Sequence, residues 1–309
     1  MGLTTRLGAC IIILSSFLLP VNGAASEGLG FELPGGPLRV RNLSPVLQLY
    51  GIPRMTGARV VRDLSEATFN FEAANNFQSR DRSGAFVFFD GETYVASPRL
   101  RGGFGDDFEW GFEVPYVAHT NGSLDGVVDE FHELFGLPDG DRSLAPRGRL
   151  DYLVRVDGVD YADFDDSRHS LGDVRGFLGY QIFDRPTRAF ALRSQIKLPT
   201  GRVEDLSGSE GLDVSLWGEY EWSLIGDGLN FSLTLAGGMS YLGEGELAPQ
   251  AQEDWVGFGH LGLVLPMHPR VDFIAQLDAH SDVLDTGNPL IADAGVLGTV
   301  GSRIGLTQR

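Results

Sequence analysis

Apolar and polar residues alternate along the chain. Between positions 108 and 118, Phe108, Trp110, Phe112, Val114, Tyr116 and Ala118 fall on one face, and Glu109, Gly111, Glu113 and Pro115 on the other. Successive side chains of a strand point to opposite sides, so this spacing predicts a strand with one apolar and one wet face. The same alternation marks 67–71, 94–100, 174–182, 190–198, 212–222, 229–241, 255–265 and 271–277, with a weaker stretch at 290–306. Most of the ten segments run to about 10–13 residues. A tilted strand needs roughly 9–11 residues to cross a bilayer, whereas globular strands average about 5–6.

The links between segments alternate too. Gly105-Asp106-Asp107, 183–187, Ile225-Gly226-Asp227-Gly228 and 266–270 are short, while 78–91, 119–170, 199–211, 243–254 and 282–289 are long. Outer-membrane barrels have short periplasmic turns and long extracellular loops. The predicted fold is therefore all-β: an antiparallel transmembrane β-barrel of about ten visible strands over residues 67–309.

Registers drawn from the short links agree with that face assignment. A turn at Gly105 sets Phe104 opposite Phe108, Gly102 opposite Trp110, Leu100 opposite Phe112 and Arg99 opposite Glu113. A turn at Gly226 sets Trp222 opposite Phe231 and Tyr220 opposite Leu233, and one at Pro186 sets Asp173 opposite Lys197. A one-residue slip would exchange the two faces throughout.

The 119–170 link has a different period. Leu124, Val127, Val128, Phe131, Leu134 and Phe135 share one face of a helix, with Ser123 placed to cap it and Gly136 and Pro138 to end it. Two readings stay open: a lid or plug over the barrel mouth, or a short helix tucked against the rim. Phe131, His132, Asp139 and Arg142 are the candidate lid contacts, with ordinary solvated loop residues as the alternative.

Residues 1–25 read as a secretory leader. Arg6 is their only charge, an apolar run covers 9–21, and the small residues Gly23, Ala24 and Ala25 follow, so cleavage is expected after Gly23 or Ala25. Cys10 is the sole cysteine and precedes most of the apolar run, which argues against lipidation and leaves the exported part without thiol chemistry. Residues 26–66 are expected as an N-terminal periplasmic segment. The net charge of −18 excludes a strongly basic nucleic-acid surface, and 42 glycines set among aromatic and branched residues fit sheet with tight turns.

On the wet face, Arg99, Arg101, Glu109, Glu113, Asp173, Arg175, Arg193, Lys197, Asp213, Glu219 and Glu221 form a lumen-facing belt of mixed sign. Either it lines a selective pore or it is an ion-paired filling of a narrow barrel. Catalysis finds little support. Ser207-Gly208-Ser209-Glu210-Gly211 misses G-x-S-x-G at its first position and lies between strands. Gly257-Phe258-Gly259-His260-Leu261-Gly262 matches G-x-G-x-x-G, but inside a strand. The six histidines show no metal-ligand spacing, so no catalytic residue, metal or cofactor is assigned.

Arg41-Asn42-Leu43-Ser44-Pro45, Tyr50-Gly51-Ile52-Pro53 and Phe131-His132-Glu133-Leu134-Phe135-Gly136-Leu137-Pro138-Asp139-Gly140-Asp141-Arg142 resemble a proteobacterial family, the domain of unknown function 3187. Leu171-Gly172-Asp173-Val174 and Lys197-Leu198-Pro199-Thr200-Gly201 resemble phrases common to outer-membrane barrels. The resemblance implies a Gram-negative outer-membrane location and supplies no activity. Such barrels usually end in an aromatic residue, whereas this chain ends Thr307-Gln308-Arg309, so twelve strands are expected in an intact relative. The functional expectation is a narrow channel or structural barrel for small solutes. The expected partners are outer-membrane lipid, the barrel-assembly machinery and a small-molecule solute, with no nucleic acid and an open oligomeric state. An outer-membrane lipid hydrolase and a soluble periplasmic β-protein are the alternatives.

Overall fold

The computed structural model describes residues 13–20, 36–62, 65–126, 130, 133, 134, 136, 146–224 and 230–305. All the described strands belong to one antiparallel sheet. They are β1 (Ile13–Pro20), β2 (Ser65–Arg82), β3 (Ala85–Phe104), β4 (Phe108–Glu113), β5 (Tyr116–Thr120), β6 (Asp151–Val156), β7 (Val159–Phe164), β8 (Arg168–Leu171), β9 (Arg175–Arg185), β10 (Arg188–Lys197), β11 (Asp213–Leu224), β12 (Phe231–Leu242), β13 (Trp255–His268), β14 (Val271–His280) and β15 (Gly295–Ile304). The main path is β1-β2-β3-β4-β9-β10-β11-β12-β13-β14-β15, and its two ends are not paired with each other. In the full chain Ile13–Pro20, inside the expected leader, pairs along β2 from Glu66 to Ala73.

Two long links contain more strand than their sequence suggests. The stretch 78–91 is no open loop: β2 runs to Arg82, β3 begins at Ala85, and Ser83 and Gly84 turn the chain at φ of 55° and 81°. Positive φ at both central residues suits the right-handed twist of a hairpin. The strand continues there although alternation fails, because this part of the hairpin lies beyond the apolar belt. The 119–170 link folds into β6, β7 and β8. The first two form a hairpin on the Ala85–Asp90 part of β3, and β8 pairs with β5. Asp125, Gly126, Glu130, Glu133 and Leu134 have helical backbone. The lid candidates Phe131, His132, Asp139 and Arg142 lie outside the described residues.

The β3–β4 register pairs Phe104 with Phe108, Gly102 with Trp110, Leu100 with Phe112 and Arg99 with Glu113, all as the turn chemistry predicts. Two other registers differ from expectation by two residues. Trp222 stands opposite Leu233 and Tyr220 opposite Leu235. Lys197 stands opposite Arg175, with a bulge between Phe190 and Ala191. A shift of two preserves the face of every side chain, so the face assignment stands while the turn and the bulge choose the pairing.

The sheet is two-faced. Phe108, Trp110, Phe112, Leu178, Leu216, Leu261, Leu277 and Val300 are exposed on one side, while Glu109, Glu113, Arg193, Lys197, Glu219 and Gln276 are buried on the other. Tyr241 and Trp255 pack at 5.2 Å at one end of the exposed band, and Trp222 and Phe231 at 5.8 Å at the opposite end. Beyond the band, at the long-link end, Phe89, Tyr152, Val154, Leu206, Leu247, Leu284 and Ile291 form an apolar core that also takes in Val46, Leu47, Leu49 and Tyr50.

Residues 36–62, expected as part of an N-terminal periplasmic segment, instead run against the buried face of the sheet. They are irregular apart from one 3-10 turn at Leu47–Leu49. Leu38 donates to Gln276 of β14 at 2.8 Å, and the next residue, Arg39, accepts from Asn70 of β2 through its carbonyl at 3.3 Å. One dipeptide thus spans from β2 to β14, so the sheet must curl until its far strands meet the same short segment.

Candidate functional site

The buried face places all eleven charged belt residues inside, and residues 36–62 supply what lies between them. An irregular backbone in an interior must still satisfy its N–H groups. Here strand side chains do so. Asp213 accepts Gly51 N–H at 2.7 Å, Glu219 accepts Thr56 N–H and Gly57 N–H at 3.2 and 2.5 Å, Gln181 accepts Val60 N–H at 2.9 Å, and Glu109 accepts Val61 N–H at 2.9 Å. The segment's carbonyls are served in return: Gln195 and Ser215 donate to Gly51 O at 3.0 Å each, and Arg193 donates to Gly57 O at 2.7 Å.

Charge follows the same division. Residues 36–62 contain Arg39, Arg41, Arg54, Arg59 and Arg62 and not one Asp or Glu, in a chain of net −18. Glu113 receives Arg39 at 2.6 Å and Arg54 at 2.9 Å, with Arg175 at 3.6 Å. Arg54 also grips Glu72. Glu109 holds Arg101 at 2.6 Å and also Arg193, whose Nε lies 3.3 Å from Glu219; Arg101 lies 3.6 Å from Glu66. Arg59 reaches Asp184 and, at 3.3 Å, Glu221. Arg99 is different: its guanidinium lies 3.9 Å over the Phe177 ring, and its Nε and Nη1 have no hydrogen-bond acceptor among the described residues. Such burial tolerates charge only where partners compensate the lost hydration.

Lys197, 0% exposed, commits its three ammonium donors to Asp173 at 2.6 Å, Asp213 at 3.2 Å and Ser209 Oγ at 2.5 Å. Asp173 additionally accepts the N–H groups of Thr200, Gly201 and Ser209 at 3.0, 2.8 and 3.2 Å, which ties the 199–211 link to β10. The serine of the near-miss motif thus meets a lysine, an arrangement sequence spacing did not suggest. Both carboxylates lie against the ammonium, so the group fastens the 199–211 link to the strands.

Sequence reasoning also missed His119. It is 1% exposed, lies 2.9 Å from Thr93 Oγ1 through Nδ1 and 3.2 Å from Leu206 O through Nε2, and packs against the Tyr152 and Phe164 rings. Burial pushes its pKa down to about 4, partly offset by the Leu206 carbonyl and reinforced by the nearby His169. No spacing of histidines signalled it, because its partners come from four separate stretches of the chain. The five arginines of the segment did carry a signal, their concentration in a stretch without acid.

The fold and this interior define a class: an all-β protein with a large two-faced antiparallel sheet that wraps a charged face around its own N-terminal segment. The chain belongs to the family described as Protein of unknown function (DUF3187), whose profile matches residues 13–309. No curated protein matches it.

Proposed function

We propose that the protein is exported to the outer membrane of a Gram-negative bacterium and forms a β-barrel there. Its lumen is occupied by residues 36–62, making it a narrow, self-occluded channel or structural barrel for small solutes. The observation that carries this reading is the pairing of an exposed apolar band with a buried, ion-paired opposite face along the same strands. A soluble sheet places its charges outward; lipid as the outer solvent favours the reverse. Leader-directed export, insertion by the assembly machinery and contact with outer-membrane lipid belong to the same proposal. A non-enzymatic role is supported by the full commitment of Lys197 beside Ser209.

The segment 36–62 fills the passage, so solute movement requires it to shift. Refolded protein in planar bilayers should be nearly silent, and the pair Arg54→Met with Arg59→Met should bring on conductance steps. Release of the native protein from membranes by alkaline carbonate without detergent would overturn the barrel reading. Equal, closed behaviour of wild type and the double variant would overturn the occluding role.

A further inference from the structure

Beside Glu113 lies a cavity of about 20 Å³ lined by Arg39, Arg41, Arg54, Arg99, Arg175 and Arg193. Among the described residues Glu113 is the only carboxylate on its wall. A single water occupies roughly 10–15 Å³ on this scale, so the space suits one small group rather than a solute. Arg193 is held by Glu109, Glu219 and the Gly57 carbonyl. Unpartnered donors remain on this wall. Among the described residues, Arg39 Nε, Arg41 Nε, Arg54 Nε, Arg99 Nε and Nη1, Arg175 Nη1 and Arg193 Nε are buried donors with no hydrogen-bond acceptor. Among the described residues Arg99, 4% exposed, forms no ion pair; its guanidinium lies over the Phe177 face, on the same cavity wall. Buried charged donors are left unpaired only at considerable cost, and several converging on one space are unusual.

We propose that this cavity binds the carboxylate group of a small organic acid, whose two oxygens take the space of one or two waters. Guanidinium forks match planar or tetrahedral oxygens through paired N–H donors and serve a spherical halide less well. The anion completes the hydrogen bonding of Arg99 and Arg175 from β3 and β9 and of Arg39, Arg41 and Arg54 from the N-terminal segment. It therefore joins segment and sheet at their most cationic contact. The site goes beyond the barrel reading and stands whether or not the sheet lies in lipid.

Isothermal titration of the refolded full chain in detergent, at constant ionic strength, tests it with phosphate, acetate and chloride. Saturable one-site binding of acetate is expected, tighter than that of phosphate or chloride. Arg99→Met breaks no ion pair and should weaken binding at least tenfold, whereas Arg202→Met, on an exposed loop, should leave it unchanged. Arg41→Met, giving up one 3.3 Å bond to the Gln48 carbonyl, serves as a second variant should Arg99→Met not refold. No saturable binding, equal affinity for chloride, or undiminished binding in the refolded variants would overturn the proposal. None of these results bears on membrane insertion, which carbonate extraction reads separately.

Discussion

Gly51 lies so close to Asp213 that a Cβ added to it would stand 2.7 Å from the Asp213 Cβ, while its N–H is already bonded to that carboxylate at 2.7 Å. The approach is backbone against the root of a side chain, so rotation cannot relieve it. Gly51→Ala should destabilise the fold by about 1–3 kcal/mol, the usual range for overpacking. A urea titration with the midpoint shifted down and the slope unchanged is the expected result.

Glu113 gathers Arg39 and Arg54 at bonding distance, with Arg175 slightly farther off. Glu113→Gln leaves these cations without their shared carboxylate. Removing one partner of a buried pair typically costs about 3–5 kcal/mol, because the remaining charge stays desolvated. Combining it with Arg54→Met should recover part of the loss. A double-mutant cycle measures the recovery, and strict additivity would mean that the two residues do not act on each other.

Phe112 is exposed in the middle of the apolar band, opposite Leu100. If that band faces acyl chains, Phe112→Arg should cost about 2–4 kcal/mol in folding titrations from urea into lipid vesicles, and Phe112→Leu far less. An arginine variant as stable as wild type would place that face in water.

His119 gives a pH signature. Its folded pKa of about 4 lies below the roughly 6.5 of an unfolded histidine. Between these values the unfolded chain binds the extra proton, so stability is complete above about pH 6.5 and falls as pH drops towards 4. The loss from this one group reaches at most about 3 kcal/mol. His119→Gln, compared with wild type at pH 5 and pH 8, should flatten the difference; an unchanged slope would locate the proton elsewhere.

The strands and their faces were legible because alternation is a local property: Phe108 to Tyr116 announces its two sides unaided. Arg99 opposite Glu113 was legible because a three-residue turn fixes the count. Lys197 opposite Arg175 was not, since the hairpin turns between Arg185 and Arg188 and a bulge near Ala191 then shifts the count by one, and no pattern marks either. The hairpin at Ser83-Gly84 escaped because its strands leave the apolar band and lose the contrast between faces. Residues 36–62 escaped for a deeper reason. Their structure has no period, and several of their N–H groups are satisfied by side chains more than 40 positions away, as in Gly51 with Asp213 and Val61 with Glu109.

The Leu38-Arg39 dipeptide, bonded to Gln276 on one side and Asn70 on the other, bears on the order of assembly. A thread bonded to both an early and a late hairpin couples the curl of the sheet to its own seating, so neither is complete without the other. The segment is then a mandrel, the form against which the sheet takes its curvature. Lesions in its arginines should accordingly appear as slow or failed assembly before they appear as lost stability.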